Sequence, residues 1–284
     1  MIIDLHVNAG FFKEISADPK RVSFRRENFY LYKQHVWPID ILPVQMDCCH
    51  IDKSVLLAED VTTKAGDTIV SNEEIKTLVD CHPDRFIGFG SVDPNRKDAV
   101  QVLEKAFGEL GLMGLHLSPA NQRFMPNDFE LMKPIYETCL KYNKPILFDS
   151  GMIWMKNAPT KYSNPILFED VALEYPELRI CLGHFGWPWI MVTTMLLLKY
   201  PNVYADTAML YFDSPKQFFA KTFNEQLGEY WVDRMLMDKV MFGSNYPRIE
   251  QKRMLDAIDV MKLRPENKAK IVGGNAARFI GIEE

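Results

Sequence analysis

The chain has 284 residues, of which 47% are hydrophobic and 25% are charged, as is usual for a globular protein with a sizeable core. Its net charge of -5 and its scattered lysines and arginines argue against nucleic acid or a membrane surface as a partner. No stretch reaches the roughly 18 apolar residues of a membrane span, and no basic, apolar leader opens the chain. Its five cysteines lack metal-ligand spacing and are expected to be reduced thiols, which favours a cytoplasmic location.

Short apolar segments alternate with longer segments of helical period, which indicates a parallel sheet covered by helices. The predicted strands are Ile2–His6, Lys53–Leu57, Phe86–Val92, Met113–Leu117, Pro145–Asp149, Leu178–Leu182, Val203–Asp206 and Val240–Gly243. The predicted helices are Asn72–Cys81, Asp98–Leu110, Asn127–Tyr142, Leu167–Tyr175, Ile190–Lys199, Pro215–Leu236 and Gln251–Met261. This alternation favours one α/β domain over residues 1–284, a closed TIM (β/α)8 barrel, with an open doubly wound sheet as the alternative fold.

One segment interrupts the alternation between the first two strands. Residues 10–38 show no clear periodicity and are rich in aromatic side chains, which argues against disorder. A long loop after the first strand of a barrel lies at the C-terminal face, where active sites form. We therefore expect this segment to be a lid or a pocket wall. Arg25 and Arg26 within it are interpreted as a solvated pair.

Polar side chains recur where the predicted strands end, and in a barrel these ends meet at one mouth. They are Asp4, His6, Asn8, His116, Asp149, His184, Asp206 and Asn245. Three histidines with several carboxylates predict a functional site there. His116 could contact substrate or be a buried core residue, whereas Asp4 and Asp206 are expected to be positioning partners.

Two further side chains are candidates because of their place in the sequence. Trp187 follows His184 closely and could line the pocket, or it could pack the barrel end against the segment 10–38. Arg248 lies just beyond the eighth strand and could bind a substrate carboxylate.

Several of these segments follow one another in the order and spacing of a known family. They include Asp4-Leu-His6-Val-Asn8, Gly111-Leu-Met-Gly-Leu-His116, Lys144-Pro-Ile-Leu-Phe-Asp149, Leu182-Gly-His184-Phe-Gly-Trp187 and Val240-Met-Phe-Gly-Ser-Asn245. The chain thereby resembles the amidohydrolase superfamily, in the branch of aminocarboxymuconate-semialdehyde decarboxylase and γ-resorcylate decarboxylase. The resemblance implies a metal-dependent-hydrolase-like barrel with its site at the mouth.

The chain departs from that family at three positions. The resemblance implies two histidines in the opening motif, a strand-five histidine and a strand-eight aspartate around zinc or manganese. Asn8, Asp149 and Asn245 stand in place of three of these ligands. An amide is a poor metal ligand and cannot act as a base, whereas a carboxylate can do both. The sequence predicts either one weakly held divalent ion, zinc or manganese, bound by His6, Asp149 and His184, or a metal-free Asp149–His184 couple.

Two functions stay open on the sequence alone. The first is an amidohydrolase-like enzyme that acts on a small organic acid or cyclic compound by hydrolysis or non-oxidative decarboxylation, with weakened or lost metal dependence. Its predicted catalytic residues are His184 and Asp149, and its predicted substrate-binding residues are His116, Asn8, Asn245, Trp187 and Arg248. The second is an inactive barrel that binds a small ligand or a protein. A homodimer is expected only on general grounds.

Overall fold

Eight parallel strands form the centre of the computed structural model, which describes residues 1–208 and 214–282. In chain order β1 to β8 they are Ile3–Asn8, Lys53–Leu57, Phe86–Gly90, Gly114–Leu117, Ile146–Phe148, Ile180–Leu182, Val203–Asp206 and Val240–Met241. Each strand pairs with the next one along the chain. All eight predicted strands are present, with bounds that differ by a few residues.

The sheet closes on itself between its last and first strands. Leu5 donates its backbone N–H to the carbonyl of Phe242 at 3.0 Å, and Asn8 donates to the carbonyl of Tyr246 at 2.7 Å. The structure is therefore a closed TIM barrel rather than an open doubly wound sheet, and the fold prediction is confirmed.

A β-bulge in β1 decides which side chains of that strand enter the barrel. Asp4 pairs with Ser54 and Val7 with Leu56, so β1 contains one residue more than β2 between these two pairs. Leu5 belongs to the cluster inside the barrel, whereas Val7 belongs to the cluster between strands and helices. Strict alternation would put Asp4 and His6 on one face, and the bulge separates them.

Fourteen α-helices surround the barrel in the described residues, and we number them α1 to α14. They are Pro19–Phe29, Ile41–Cys48, Thr62–Ala65, Asn72–Cys81, Ala99–Gly108, Pro119–Gln122, Phe129–Lys141, Phe168–Glu174, Ile190–Lys199, Pro215–Phe219, Trp231–Met235, Gln251–Ile258, Pro265–Ala269 and Asn275–Ile280. The predicted helix over 215–236 is instead α10, a π-helical segment over 220–226 and α11. Gly228, with a φ of +111°, separates that segment from α11.

Two local contacts fix the start of α4 and the position of α14. Ser71 and Glu74 form a reciprocal capping box that starts α4. At the other end of the barrel, Arg179 before β6 donates to the carbonyl of Phe279 at 2.7 Å. The helix α14 therefore covers the N-terminal ends of the strands and leaves the C-terminal mouth open. No helix in the described residues is both long enough and apolar enough to span a bilayer.

The segment 10–38 is not a loop throughout, because it contains α1. Arg25 of this helix is completely buried, and the interpretation of Arg25 as a solvated residue is wrong. Its guanidinium donates to the carbonyls of Ile69 and Ile15 at 2.9 and 2.8 Å, and to Oε1 of Glu74 at 2.6 Å. The donors of one side chain thus hold α1 against α4 and against the short hairpin over 59–70. This hairpin, which the sequence analysis did not predict, pairs Glu59–Asp60 with Thr68–Val70.

Replacing Arg25 is expected to destabilise the protein. Arg25→Met leaves two buried carbonyls without a donor and removes one of the two arginines of Glu74, so we expect the free energy of unfolding to fall by about 2–5 kcal/mol. Arg26→Met is the matched control, because in the described part of the chain Arg26 donates only to the carbonyl of Gln34. Its loss should stay below about 1.5 kcal/mol. Urea denaturation followed by circular dichroism measures both, and equal losses would contradict the proposed role of Arg25.

Candidate active site

Three histidine rings converge on one carboxylate oxygen at the C-terminal mouth of the barrel. The Nε2 atoms of His116, His184 and His6 lie 3.2, 3.4 and 3.9 Å from Oδ1 of Asp149. His6 and His116 come from β1 and β4, while Asp149 and His184 follow β5 and β6. All four side chains are buried. The structure therefore brings together the predicted catalytic and metal-binding residues and adds His116 to them.

The outer nitrogen of each ring is held by an acceptor. Nδ1 of His6 faces Oδ2 of Asp206 at 2.9 Å, and Nδ1 of His116 faces the carbonyl of Ala58 at 2.7 Å. Nδ1 of His184 faces the carbonyl of Ala208. A carbonyl only accepts hydrogen bonds, so Nδ1 of His116 and of His184 carries a proton. These contacts fix the rings with their Nε2 atoms directed towards Asp149.

Asp206 orients two of the three histidines. Besides His6, it accepts hydrogen bonds from the backbone N–H groups of His184 at 2.8 Å and Ala208 at 3.0 Å. His184 itself has a φ of +57°, so the chain turns sharply there and needs this anchor. The geometry agrees with the expectation that Asp206 is a positioning residue.

Asp4 also lies where a positioning role was expected, although not at the mouth. Because of the bulge it faces outward, and its carboxylate accepts from the backbone and hydroxyl of Ser244 at 2.8 and 2.6 Å and from Gln251 at 2.7 Å. Asp4 thus fixes the loop after β8 on which Asn245 is carried.

The buried charges shift one another's ionisation. Burial lowers the pKa of His116 and of His184, but the carboxylate of Asp149, together with the neighbouring carboxylates and the carbonyl acceptors on the outer nitrogens, outweighs burial in both. The pKa of His116 rises to about 9, and that of His184 is also raised. Burial would raise the pKa of Asp149, yet these two histidines hold it well below its usual 3.8. A cationic His116 can donate from both ring nitrogens, which matches its two acceptors.

The same residues could hold a divalent metal ion. Ligand atoms of His6, His184 and Asp206 lie within 4.8 Å of one another. Both oxygens of Asp206 already accept hydrogen bonds, and the one nearest His6 faces its outer nitrogen. Oδ1 of Asp149 faces the inner nitrogens instead. We therefore regard Asp149 as the better carboxylate ligand and Asp206 as the residue that orients His6.

Two amides and an arginine complete the polar part of the pocket. Asn8 donates from Nδ2 to Oδ1 of Asn245 at 2.9 Å, so the residues that replace a histidine and an aspartate of the family pattern bond each other. Arg248 is partly buried and donates to the carbonyl of Phe29 at 2.6 Å. Burial lowers the pKa of Arg248 to about 10, so it remains cationic at neutral pH. Among the described residues it has no acidic partner.

These side chains enclose a small pocket of about 40 Å³. Its lining consists of His6, Asn8, Phe29, Glu59, Asp149, Ile153, Trp154, Met155, His184, Asn245 and Arg248. An open depression of about 840 Å³ beside Asp52 and Arg85 lies at the other end of the barrel, remote from these groups. The site at the mouth is therefore a small pocket lined by buried polar groups.

The pocket lining differs from the sequence analysis in three respects. His116, which was predicted to bind substrate, is not among the described lining residues. Trp187 is not among the described lining residues, and its ring instead packs against Phe218 with a centroid distance of 6.0 Å. Trp154, from the segment after β5, lines the pocket in its place. Glu59 was missed, although a carboxylate two residues after β2 fits the rule that polar residues at strand ends reach the mouth.

Comparison with known proteins gives matches along most of the chain. A family model described as amidohydrolase matches residues 35–282. The 2-amino-3-carboxymuconate-6-semialdehyde decarboxylase of Dictyostelium discoideum is 23% identical over 247 residues, which cover 75% of this chain. The match spans 66% of the length of that relative.

Solved structures share the fold at lower identity. An uncharacterised TIM-barrel protein from Bordetella bronchiseptica has a TM-score of 0.76 at 21% identity, with 99% of this chain and 98% of the other covered. A 2,6-dihydroxybenzoate decarboxylase bound to 2,6-dihydroxybenzoate has a TM-score of 0.70 at 16% identity, with 99% of each chain covered. A dihydroxybenzoic acid decarboxylase from Polaromonas with bound manganese and 2-nitroresorcinol has a TM-score of 0.65 at 19% identity, covering 99% of this chain and 96% of that one. At these identities the likeness shows the fold alone.

The charge of Asp149 should raise the pKa that is measured for His116. In protein treated with a chelator, we expect His116 to titrate near its pKa of about 9. In Asp149→Asn the burial remains but the opposing charge is gone, so this pKa should fall towards or below its ordinary 6.5. Asp206→Asn is the control, because Asp206 contacts His6 rather than His116. Histidine NMR measures the titrations, and an ordinary pKa of His116 in the parent would refute the ion pair.

Proposed function

Because the chain belongs to the amidohydrolase family, we propose that it is a non-oxidative decarboxylase of a small aromatic or unsaturated carboxylate, assisted by a divalent metal ion. The observation that carries this proposal is the convergence of three Nε2 atoms on Oδ1 of Asp149, beside Arg248, which has no acidic partner within residues 1–208 and 214–282. The similarity to the decarboxylase of Dictyostelium discoideum supports this reaction over hydrolysis.

The donor set comes close to the spacing that one divalent ion requires, with one distance inside the expected range and one slightly longer. Ligand atoms that share a tetrahedral zinc ion at about 2.0–2.2 Å lie roughly 3.3–3.6 Å apart. Nε2 of His184 is 3.4 Å and Nε2 of His6 is 3.9 Å from Oδ1 of Asp149. These three residues would hold zinc or manganese, and His116 would keep Asp149 in place from the other side. When bound, the ion would supply positive charge that polarises a substrate oxygen.

Arg248 would bind the substrate as an anion. A guanidinium offers five donors in a plane, and one of them is used on the carbonyl of Phe29. The remaining donors can form a paired contact with a carboxylate or a phenolate. Asn8 and Asn245, at the ends of the neighbouring strands β1 and β8, would add neutral hydrogen-bond donors and acceptors.

The small pocket would favour decarboxylation by stabilising the charge that develops on the substrate. Breaking the bond between carbon and carboxylate leaves an electron pair on the substrate, and fixed positive groups in a dry site stabilise that charge. Binding of the substrate would exclude water from the reacting carbon.

Metal content tests the ligand assignment directly. Protein purified without chelators is expected to contain about one equivalent of zinc or manganese, and Asp149→Ala is expected to lose it because His6 and His184 alone leave the coordination incomplete. Asp256→Ala, at an exposed pair with Lys252, is the control and should keep the metal. Elemental analysis of the folded proteins gives the result. An absence of metal even after soaking with both ions would contradict the proposed site.

Substrate anchoring is tested by kinetics with 2,6-dihydroxybenzoate and related aromatic and unsaturated carboxylates. For any compound that is turned over, Arg248→Met should raise KM by about 10-fold or more, because a charge-assisted contact is worth about 1.5–3 kcal/mol. Arg85→Met, at the opposite end of the barrel, should leave KM unchanged. Release of carbon dioxide is the readout. Binding of these acids without turnover would favour the inactive, ligand-binding barrel instead.

A further inference from the structure

Glu59 is a buried carboxyl group in the pocket to which neither the family pattern nor the ligand assignment gives a role. It lies two residues beyond β2, in the first strand of the short hairpin, and only 3% of its surface is exposed. It lines the same pocket as Asp149, His184 and Arg248.

The orientation of this carboxyl group is fixed by two neighbours. Asn121 donates from Nδ2 to Oε1 of Glu59 at 2.5 Å, and Lys64 donates to Oδ1 of Asn121 at 2.5 Å. An ammonium group can only donate, so the amide of Asn121 must turn its oxygen to Lys64 and its nitrogen to Glu59. Oε2 of Glu59 has no hydrogen-bond partner among the described residues, which leaves it available to the pocket.

The other titratable groups of the pocket are poor proton donors to a substrate carbon. Asp149 is a carboxylate held by histidines, and the inner nitrogens of His6 and His184 face it. Arg248 stays protonated at neutral pH. Where the resemblance implies an aspartate on strand eight, the amide of Asn245 has no acidic proton to give.

We infer that Glu59 is the catalytic acid that protonates the substrate carbon as carbon dioxide leaves, an inference that rests on the proposed decarboxylase function. The bond between that carbon and the carboxylate breaks, and its electron pair stays on the carbon. The carbon takes the proton from Oε2 of Glu59, and carbon dioxide departs. The carboxylate of Glu59 then recovers a proton from water.

The electrostatics around Glu59 suit this role. Burial and the charge of Asp149 raise its pKa, His116, Asn121 and Lys64 lower it, and the resulting pKa is about 7. The charged groups that face Glu59 thus come from the loop after β5, from β4 and from α3. A carboxyl group with this pKa is partly protonated at neutral pH and can both give and recover a proton.

Glu59→Gln tests the inference because it keeps the shape and the contact with Asn121 but removes the acidic proton. With 2,6-dihydroxybenzoate, or whichever carboxylate of the panel is turned over, kcat should fall by about 100-fold or more. KM and metal content should stay unchanged. Exchange of the ring hydrogen of the product with D2O, followed by NMR, should be lost as well. Glu59→Asp should recover part of kcat, and Glu73→Gln on the outer face of α4 is the control.

The pH profile separates a proton donor from a structural residue. In the parent, kcat should decline as the pH rises through about 7, because the acid must be protonated, and Glu59→Gln should lack this decline. If the parent is active and Glu59→Gln retains kcat, exchange and the pH profile, the inference is overturned while the proposed function stands. If the parent neither decarboxylates nor exchanges hydrogen with any member of the panel, both are overturned.

Discussion

The organisation of this site follows from the cost of burying the carboxylate of Asp149. An unpaired charge in such a place costs several kcal/mol, so it must be matched by positive or hydrogen-bonding groups. Three imidazole rings do this, and each ring needs an acceptor on its outer nitrogen to stay in place. Those acceptors are Asp206 and the carbonyls of Ala58 and Ala208, all at strand ends. One buried charge therefore constrains the C-terminal ends of several strands around the barrel.

Asn8 and Asn245 replace two metal ligands of the family pattern without leaving an unpaired charge at the mouth. The resemblance places a histidine at position 8 and an aspartate at position 245, on strands that are neighbours only because the barrel closes. Their replacement by Asn8 and Asn245 removes a basic and an acidic group together and leaves a neutral pair joined by one hydrogen bond. Asp149 then carries the negative charge of the site. Relative to the family pattern, the carboxylate therefore follows strand five instead of strand eight.

Much of this arrangement follows from the sequence, because parallel strands bring their C-terminal ends together. The eight strands and the meeting of His6, Asp149 and His184 were predictable on that basis. Arg25 was not, since a buried arginine inside an aromatic segment has the same local pattern as an exposed one. Glu59 follows the same strand-end rule, since it lies two residues beyond β2, and its place at the mouth was therefore predictable. The place of Trp187 depends on tertiary packing against Phe218, which no local pattern contains.

The bulge in β1 makes chain length, and not only residue identity, a condition for the site. Because of the bulge between Asp4 and Val7, the side chains of Leu5 and His6 both point into the barrel. Leu5 packs in the interior core, and His6 lies at the mouth. Gly243 on the neighbouring strand leaves room for His6, because a methyl group there would lie 3.0 Å from its Cβ. Loss of Val7 would restore regular pairing with β2 and turn His6 away from Asp149, whereas loss of Leu5 would restore the same pairing and keep His6 inward. Alignments of related chains that slide a gap through this strand would therefore misassign its inward-facing positions.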